Sequence, residues 1–131
     1  MNIASYLSGA RNRYLITNSE HWNLNEKNKT IVFCKVEEKA YEIYFYTFFE
    51  DGSYKQCYEL VDEDILEAKA LEQCFEKVAL FIRQSDKYDS SLRNVVTIIV
   101  DGSNENVEVR QYGKDVGLYK IKKEWKSTYL Q

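Results

Sequence analysis

The stretch from Tyr41 to Leu60, YEIYFYTFFEDGSYKQCYEL, decides the fold that we expect for this chain. Eight of its twenty residues are Tyr or Phe, and aromatic side chains suit the pleated, half-buried surface of a β-strand. Asp51-Gly52 in its middle favours a two-residue type I′ turn, because both residues tolerate positive φ. The stretch therefore predicts a β-hairpin.

A two-residue turn would fix which residues of the hairpin face each other. Counting outward, Phe49 lies opposite Tyr54 and Phe45 lies opposite Tyr58. Side chains alternate along a strand, so the hairpin divides into two faces. The face expected in the core carries Ile43, Phe45, Phe49, Tyr54, Tyr58 and Leu60. The other face mixes aromatic and charged residues: Glu42, Tyr44, Tyr46, Phe48, Lys55, Cys57 and Glu59.

A further strand is expected over Thr30–Glu37, before the hairpin. A turn at Glu38-Lys39 would pair it with the hairpin's first strand, with these partners: Val36 and Tyr41, Cys34 and Ile43, Val32 and Phe45. The apolar residues of this strand then fall on the face already assigned to the core, although the two turns are assigned independently. The three segments predict an antiparallel meander with one strongly apolar face.

Helical periodicity appears in three places. Residues 2–16 have apolar side chains at helical spacing, and the polar segment 17–28, which contains His21 and Trp22, is expected to be a loop. A long helix is expected from Asp62 or Asp64 to Arg83, since Asp64-x-x-Glu67 resembles a capping box. Its apolar stripe contains Leu71, Phe75, Val78 and Ile82. A last helix is expected from Leu118 onward, with Trp125 on its apolar side.

The segment Arg93–Val100 has the apolar, β-branched composition of an interior strand, and Val107–Tyr112 alternates as a half-buried strand does. The turn between them, 101–105, makes these two strands a second hairpin. The prediction for residues 1–131 is therefore a single α+β domain. It has a five-stranded antiparallel sheet, formed by the meander and the hairpin, packed with a long central helix and with N- and C-terminal helices.

Composition limits the classes of function. The chain has 131 residues, 30% of them charged, with a net charge of −3, so a general nucleic-acid binder is disfavoured and a basic partner is compatible. No apolar run approaches the ~20 residues of a membrane span. The N-terminus lacks the pattern of a secretory signal, so a cytoplasmic location without membrane association is expected.

The search for chemical motifs yields little. Cys34, Cys57 and Cys74 are an odd number of cysteines without CxxC spacing, and His21 is the only histidine, so we expect neither a disulfide framework nor a metal site, and no cofactor. A Cys57 nucleophile with His21 as its base remains a remote alternative. The acidic residues Asp62, Glu63, Asp64 and Glu67 could act as general acids, but capping of a helix explains them better.

Several segments together resemble a known family. They are Trp22 before the first strand, YFYTFFEDGSY, FEKVALFIRQ, NVVTIIVDGSNENVEV and a tail with Trp125 and Tyr129-Leu130. This pattern is similar to the small immunity proteins that neutralise bacterial polymorphic toxins, including those of contact-dependent growth inhibition, and in particular to the group related to YezG antitoxins. The resemblance implies a non-enzymatic, cytoplasmic protein that binds one cognate toxin domain, often a nuclease, and blocks its active site or substrate path.

Tyrosine-rich surfaces are typical of binding hot spots, so the mixed face of the hairpin is the expected partner-binding surface, with an acidic rim. The predicted binding residues are Tyr44, Tyr46, Phe48, Asp51, Glu59, Asp62, Glu63, Asp64 and Glu67. The competing interpretation is that a terminal helix covers this face and makes its tyrosines part of the core. Two alternatives for function stay open: an adaptor or ligand-binding domain that uses the sheet surface, and a small hydrolase with unrecognised carboxylate chemistry.

Overall fold

Three strands, two helices, two strands and a last helix follow one another along the described part of the chain. The structure, a computed structural model, describes residues 29–49, 51–63, 68–101 and 104–130. Within these residues none of the helices combines the length and the apolar character needed to cross a membrane. The elements are β1 (Thr30–Val36), β2 (Tyr41–Phe48), β3 (Tyr54–Gln56), α1 (Cys57–Asp62), α2 (Ala68–Arg83), β4 (Arg93–Asp101), β5 (Asn104–Tyr112) and α3 (Leu118–Tyr129).

The strands form one antiparallel sheet in the order β3-β2-β1-β4-β5. This confirms the predicted α+β class and the five-stranded sheet made of a meander and a hairpin. The strand β1 lies at the centre because β2 and β4 pair with its two edges. The predicted N-terminal helix, the loop 17–28 with His21 and Trp22, and the residues Asp64 and Glu67 lie outside the described residues.

The register of β1 with β2 is the one predicted from a turn at Glu38-Lys39. Val32 pairs with Phe45 as expected, and on its other side it lies opposite Ile98. Cys34 pairs with Ile43 in the same register. Because these side chains share one face, that face is continuously apolar across three strands.

The turn at Asp51-Gly52 differs from the prediction by one residue. Phe48, not Phe49, pairs with Tyr54. The amide of Phe49 donates to the carbonyl of Ser53 at 2.8 Å, and Gly52 has a φ of 89°, which is the arrangement of a three-residue loop closed by a glycine bulge. The predicted pairings of the hairpin's second strand are therefore wrong, since a slip of one residue exchanges the two faces.

The second strand of the hairpin is also shorter than predicted. It ends at Gln56, where α1 begins with a capping box between Gln56 and Glu59. Tyr58 was expected in the core but lies on this helix with 46% of its surface exposed, whereas Leu60 is buried from the helix. Asp62 is the last residue of α1 and Glu63 follows as its C-cap. The prediction that these two acidic residues start a long helix is therefore wrong.

The helix α2 covers the apolar face of the sheet as predicted. Its stripe is buried, and the rings of Phe75 and Phe45 meet edge to face with centroids 6.3 Å apart. Three residues expected in the core are not buried: Tyr58 and Tyr54 are 46% and 43% exposed, and Phe49 is half-buried. The other residues expected there are buried: Val32, Cys34, Ile43, Phe45, Leu60, Leu71, Phe75, Val78, Ile82, Ile98 and Trp125.

The helix α3 packs on the opposite face of the sheet. Ile121 and Trp125 are its buried residues. The ring of Trp125 lies against Phe33 and Tyr44, with centroids 5.3 Å and 6.3 Å away. The protein's own C-terminal helix thus covers the mixed face of the hairpin, and the sheet is enclosed between two helices over its central strands.

Candidate partner-binding surface

Tyr44 and Tyr46, predicted at the centre of the partner-binding surface, are core residues. They are only 5% and 7% exposed. Tyr44 stacks on Phe33 with centroids 4.9 Å apart, and Tyr46 lies 5.9 Å from Trp125. Because α3 covers both rings, a partner cannot contact them in this structure. The assignment of these two tyrosines to a binding surface is corrected accordingly.

Phe48 and Asp51 lie at the tip of the hairpin. Phe48 is half-buried, and its ring packs 5.2 Å from that of Tyr54. Asp51 is exposed and accepts hydrogen bonds from the amide of Ser53 at 2.9 Å and from its hydroxyl at 2.6 Å. These bonds hold the pKa of the Asp51 carboxyl below its usual value. The hydrogen bonds of the turn thus explain the presence of an aspartate at this position, and no contact with a binding partner is needed to explain it.

The predicted acidic rim is exposed and lies on or beside α1. Glu59 accepts a hydrogen bond from the amide of Gln56 at 3.1 Å, and Glu63 accepts one from Lys55 at 2.8 Å. Asp62 is exposed between them. Glu59, Asp62 and Glu63 therefore form an acidic border along the β3 edge of the sheet.

Beside this border lies a cluster that the sequence did not indicate: Tyr41, Tyr58, Glu72 and Glu76, here named the tyrosine–glutamate patch. Its tyrosines, Tyr41 and Tyr58, are 37% and 46% exposed. Its glutamates are one turn apart on the outer side of α2, and both are exposed. The patch thus combines aromatic surface with negative charge where α1, α2 and the start of β2 meet.

The position of Tyr41 is fixed by a contact between α2 and the turn from β1 to β2. The guanidinium of Arg83 donates to the carbonyl of Glu37 at 2.8 and 3.0 Å and to that of Ala40 at 3.2 Å. Charged donors make strong hydrogen bonds to carbonyls. The end of α2 is therefore tied to the residue before Tyr41, which keeps this ring beside the glutamates of the same helix.

The position of Tyr58 follows from the early end of β3. Because the chain turns into α1 at Cys57, which is fully buried, the next side chain points away from the core. The Tyr58 hydroxyl lies 3.5 Å from the carbonyl of Ile43 on β2. Its ring is thereby laid along the sheet edge, with one side open to solvent.

The charges of α2 act on both tyrosines. Partial burial raises the pKa of the Tyr41 hydroxyl, and Glu76 and Glu72 raise it further. Burial also raises the pKa of Tyr58, with Cys57 and Glu72 contributing. Glu72 therefore lies within electrostatic reach of both rings. Both hydroxyls remain protonated at neutral pH. The Tyr58 hydroxyl donates to the carbonyl of Ile43 and can accept a hydrogen bond from a partner, whereas the Tyr41 hydroxyl can donate one.

Two of the three cysteines are kept as neutral thiols by burial. Cys34, Cys57 and Cys74 are all buried, and none of them forms a disulfide. Burial raises the pKa of Cys57 to about 12 and also raises that of Cys34, so these two are thiols and not the reactive thiolates at neutral pH. This argues against Cys57 as a nucleophile. Within the described ranges no group of His, Cys, Asp and Glu could hold a metal ion.

The face under α3 has a small cavity of about 150 Å³ beside β5. A chain of polar contacts lines it: Trp125 donates from its indole nitrogen to Thr97 at 2.9 Å, and the Tyr129 hydroxyl donates to Glu108 at 2.8 Å. Tyr112 donates to Glu124 at 3.3 Å. These bonds attach α3 to the second hairpin.

Sequence reasoning missed the patch because its residues come from three elements whose contacts depend on the early end of β3. One signal was available: Gln56-x-x-Glu59 has the Glu three residues after a capping position that marks a helix start. Comparison of the chain with protein-family models, with curated proteins and with solved structures finds no match.

Proposed function

We propose that this chain is an immunity protein that binds a cognate bacterial toxin domain of the nuclease class and blocks its active site or substrate path. It acts in the cytoplasm by stoichiometric binding, without catalysis and without a cofactor. The observation that carries the proposal is the tyrosine–glutamate patch, with the acidic border of Glu59, Asp62 and Glu63 beside it. The resemblance to YezG-type antitoxins in the sequence supports the same class.

The chemistry of the patch suits a basic partner. A nuclease presents positive charge to the phosphates of its substrate. Glu72 and Glu76 are exposed, and both raise the pKa of the Tyr41 hydroxyl. Opposite charges on two proteins accelerate their encounter, and desolvated aromatic rings contribute much of the binding energy once contact is made. The patch thus provides both the attraction and the anchor.

The arrangement of the helices favours the sheet edge over the sheet faces as a binding surface. Over the central strands, α2 covers one face and α3 covers the other, as the burial of Phe45 and Tyr44 shows. An adaptor that uses the open face of its sheet would require that face to be free. The observation therefore supports binding at the edge and disfavours the adaptor.

The experiment is a binding assay with the toxin domain encoded immediately upstream of this chain's gene. The parent is expected to co-purify with that domain and to inhibit its nuclease activity at a one-to-one ratio. Tyr58→Ala is expected to weaken binding, whereas Tyr119→Ala is the matched control, because Tyr119 is 80% exposed on α3 and lies outside the patch. Absence of binding by the parent would refute the proposal.

A further inference from the structure

The strand β5 is the last strand of the sheet that the described residues form. It has nine residues and pairs with β4 on one side. Among the described residues no strand pairs with its other side, since β5 is last in the sheet order. An edge strand of this length presents a row of backbone donors and acceptors to which another strand can add.

Apolar side chains accompany this edge. Val107 and Val109 pair with Ile98 and Val96, on the sheet face against which α2 packs, and yet they are 42% and 39% exposed. Leu80 on α2 is 50% exposed. Val107 and Val109 also line a groove with Tyr88, whose buried hydroxyl lacks a hydrogen-bond partner within the described part of the chain. Exposed apolar surface beside an unpaired strand is typical of an interface.

The charges of β5 are complementary to themselves. Glu108 and Arg110 lie on the same face, one residue to each side of Val109. If two copies of β5 pair antiparallel about a two-fold axis at Val109, Glu108 of each copy lies opposite Arg110 of the other. Opposite charges in directly facing positions stabilise a strand pair.

Other registers of the same pairing are less favourable. When a two-fold axis relates two antiparallel strands, residues that lie opposite each other are on the same face of the joined sheet. The axis must then pass midway between the two copies of one residue, which is the centre of the pairing. A centre at Glu108 or at Arg110 would place like charges opposite each other, which is destabilising. A centre at Val107 would set Glu108 opposite Asn106 and lose the ion pairs. The centre at Val109 alone, among these four, pairs both charges and places valine opposite valine.

We infer that β5 binds β5 of a second copy of this chain, antiparallel and centred on Val109, to form a continuous ten-stranded sheet. Val109 faces its counterpart, and Val107 lies diagonally across from it, so the exposed valines of both copies are covered. The tyrosine–glutamate patch lies at the opposite edge of each sheet, where β3 is last. The dimer therefore presents one patch at each end.

The test uses charge exchange, measured by light scattering coupled to size-exclusion chromatography and by sedimentation. The parent is expected to be a dimer at high micromolar concentration. Glu108→Arg or Arg110→Glu places like charges opposite each other twice and should raise the dimer Kd by about tenfold or more. Lys123→Glu changes the net charge as much as Arg110→Glu does, but on the exposed side of α3, and should leave the dimer Kd unchanged.

The decisive arm mixes the two single variants. The Glu108→Arg chain and the Arg110→Glu chain should be largely monomeric separately and form a heterodimer when mixed, and the double variant should recover the homodimer. Circular dichroism checks that each variant is folded, because Glu108→Arg also removes the contact with Tyr129. A monomeric parent, or a mixture that stays monomeric although both chains are folded, would overturn the inference.

Discussion

The indole nitrogen of Trp125 donates a hydrogen bond to the hydroxyl of Thr97 at 2.9 Å, and both side chains are buried. This contact joins α3 to the centre of β4. It lies on the sheet face whose tyrosines the sequence offered as a binding surface. The contact therefore helps to make this face part of the protein's own core, so that the face is not available as an interface.

The first prediction concerns that hydrogen bond. Thr97→Val keeps the shape of the side chain but removes the acceptor, so the buried indole N–H of Trp125 is left without this partner. We expect the free energy of unfolding to fall by about 1–3 kcal/mol. Urea denaturation of Thr97→Val, of Trp125→Phe and of the double variant measures the coupling. Losses that simply add would show that the bond contributes nothing.

The second prediction concerns the core under α2. Phe75 is 3% exposed and contacts Phe45, so Phe75→Ala should destabilise the protein by about 3–5 kcal/mol through the cavity that it leaves. Leu80→Ala is the control on the same helix, because Leu80 is 50% exposed. It should change the stability by no more than about 0.5 kcal/mol. Equal melting temperatures for the parent and Phe75→Ala would contradict the packing described.

The third prediction separates the buried tyrosines from the exposed ones. Tyr46 is 7% exposed beneath α3, so Tyr46→Ala should lower the stability by about 3–5 kcal/mol, in the range for large buried aromatic side chains. Tyr58→Ala should cost much less, because Tyr58 is 46% exposed. Thermal unfolding of both variants checks this. The burial assignment fails if Tyr46→Ala unfolds at the temperature of the parent.

The fourth prediction concerns alkaline pH. Burial raises the pKa of Cys57 to about 12, whereas an unfolded thiol has a pKa of about 8.5. As the pH rises, the unfolded chain therefore loses this proton at a lower pH than the folded chain does. The stability that the buried Cys57 thiol contributes is fully present below a pH of about 8.5 and is lost as the pH rises towards 12. In this window the stability should fall by up to about 1.4 kcal/mol per pH unit from this group.

Denaturant titrations from pH 8 to 11 on the parent and on Cys57→Ala test that expectation. Other groups titrate in the same range, so the relevant quantity is the difference between the two slopes. The variant should lose stability less steeply with pH than the parent does. Parallel curves for the parent and Cys57→Ala would show that burial does not keep Cys57 protonated in the folded protein.

The sequence predicted those features of the fold that depend on side-chain alternation. The register of Val32 with Phe45 follows from the turn at Glu38-Lys39 and agrees with the alternation of apolar residues, and the structure confirms it. The same reasoning failed at Asp51-Gly52. There the backbone of Phe49 and Ser53 closes a loop with Gly52 at positive φ, and a dipeptide that suits both kinds of turn does not distinguish them.

The candidate site was less predictable because it depends on that one-residue difference. The slip and the early start of α1 moved Tyr58 from the core to the surface, while α3 buried Tyr44 and Tyr46. Aromatic composition indicated that tyrosines matter but not which of them a helix would cover. The prediction of exposed acidic residues at Glu59, Asp62 and Glu63 does not depend on that difference, and all three are exposed in the structure.

The central claim is that the tyrosine–glutamate patch is the surface that would bind the proposed toxin domain. Its most direct test is stopped-flow measurement of association and dissociation with that domain, using Tyr58→Ala, Glu72→Lys and the control Tyr119→Ala. Tyr58→Ala should dissociate faster, and Glu72→Lys should associate more slowly at low salt but little differently at high salt. If both folded variants bind with the rates of the parent, the contact lies elsewhere and the claim is contradicted.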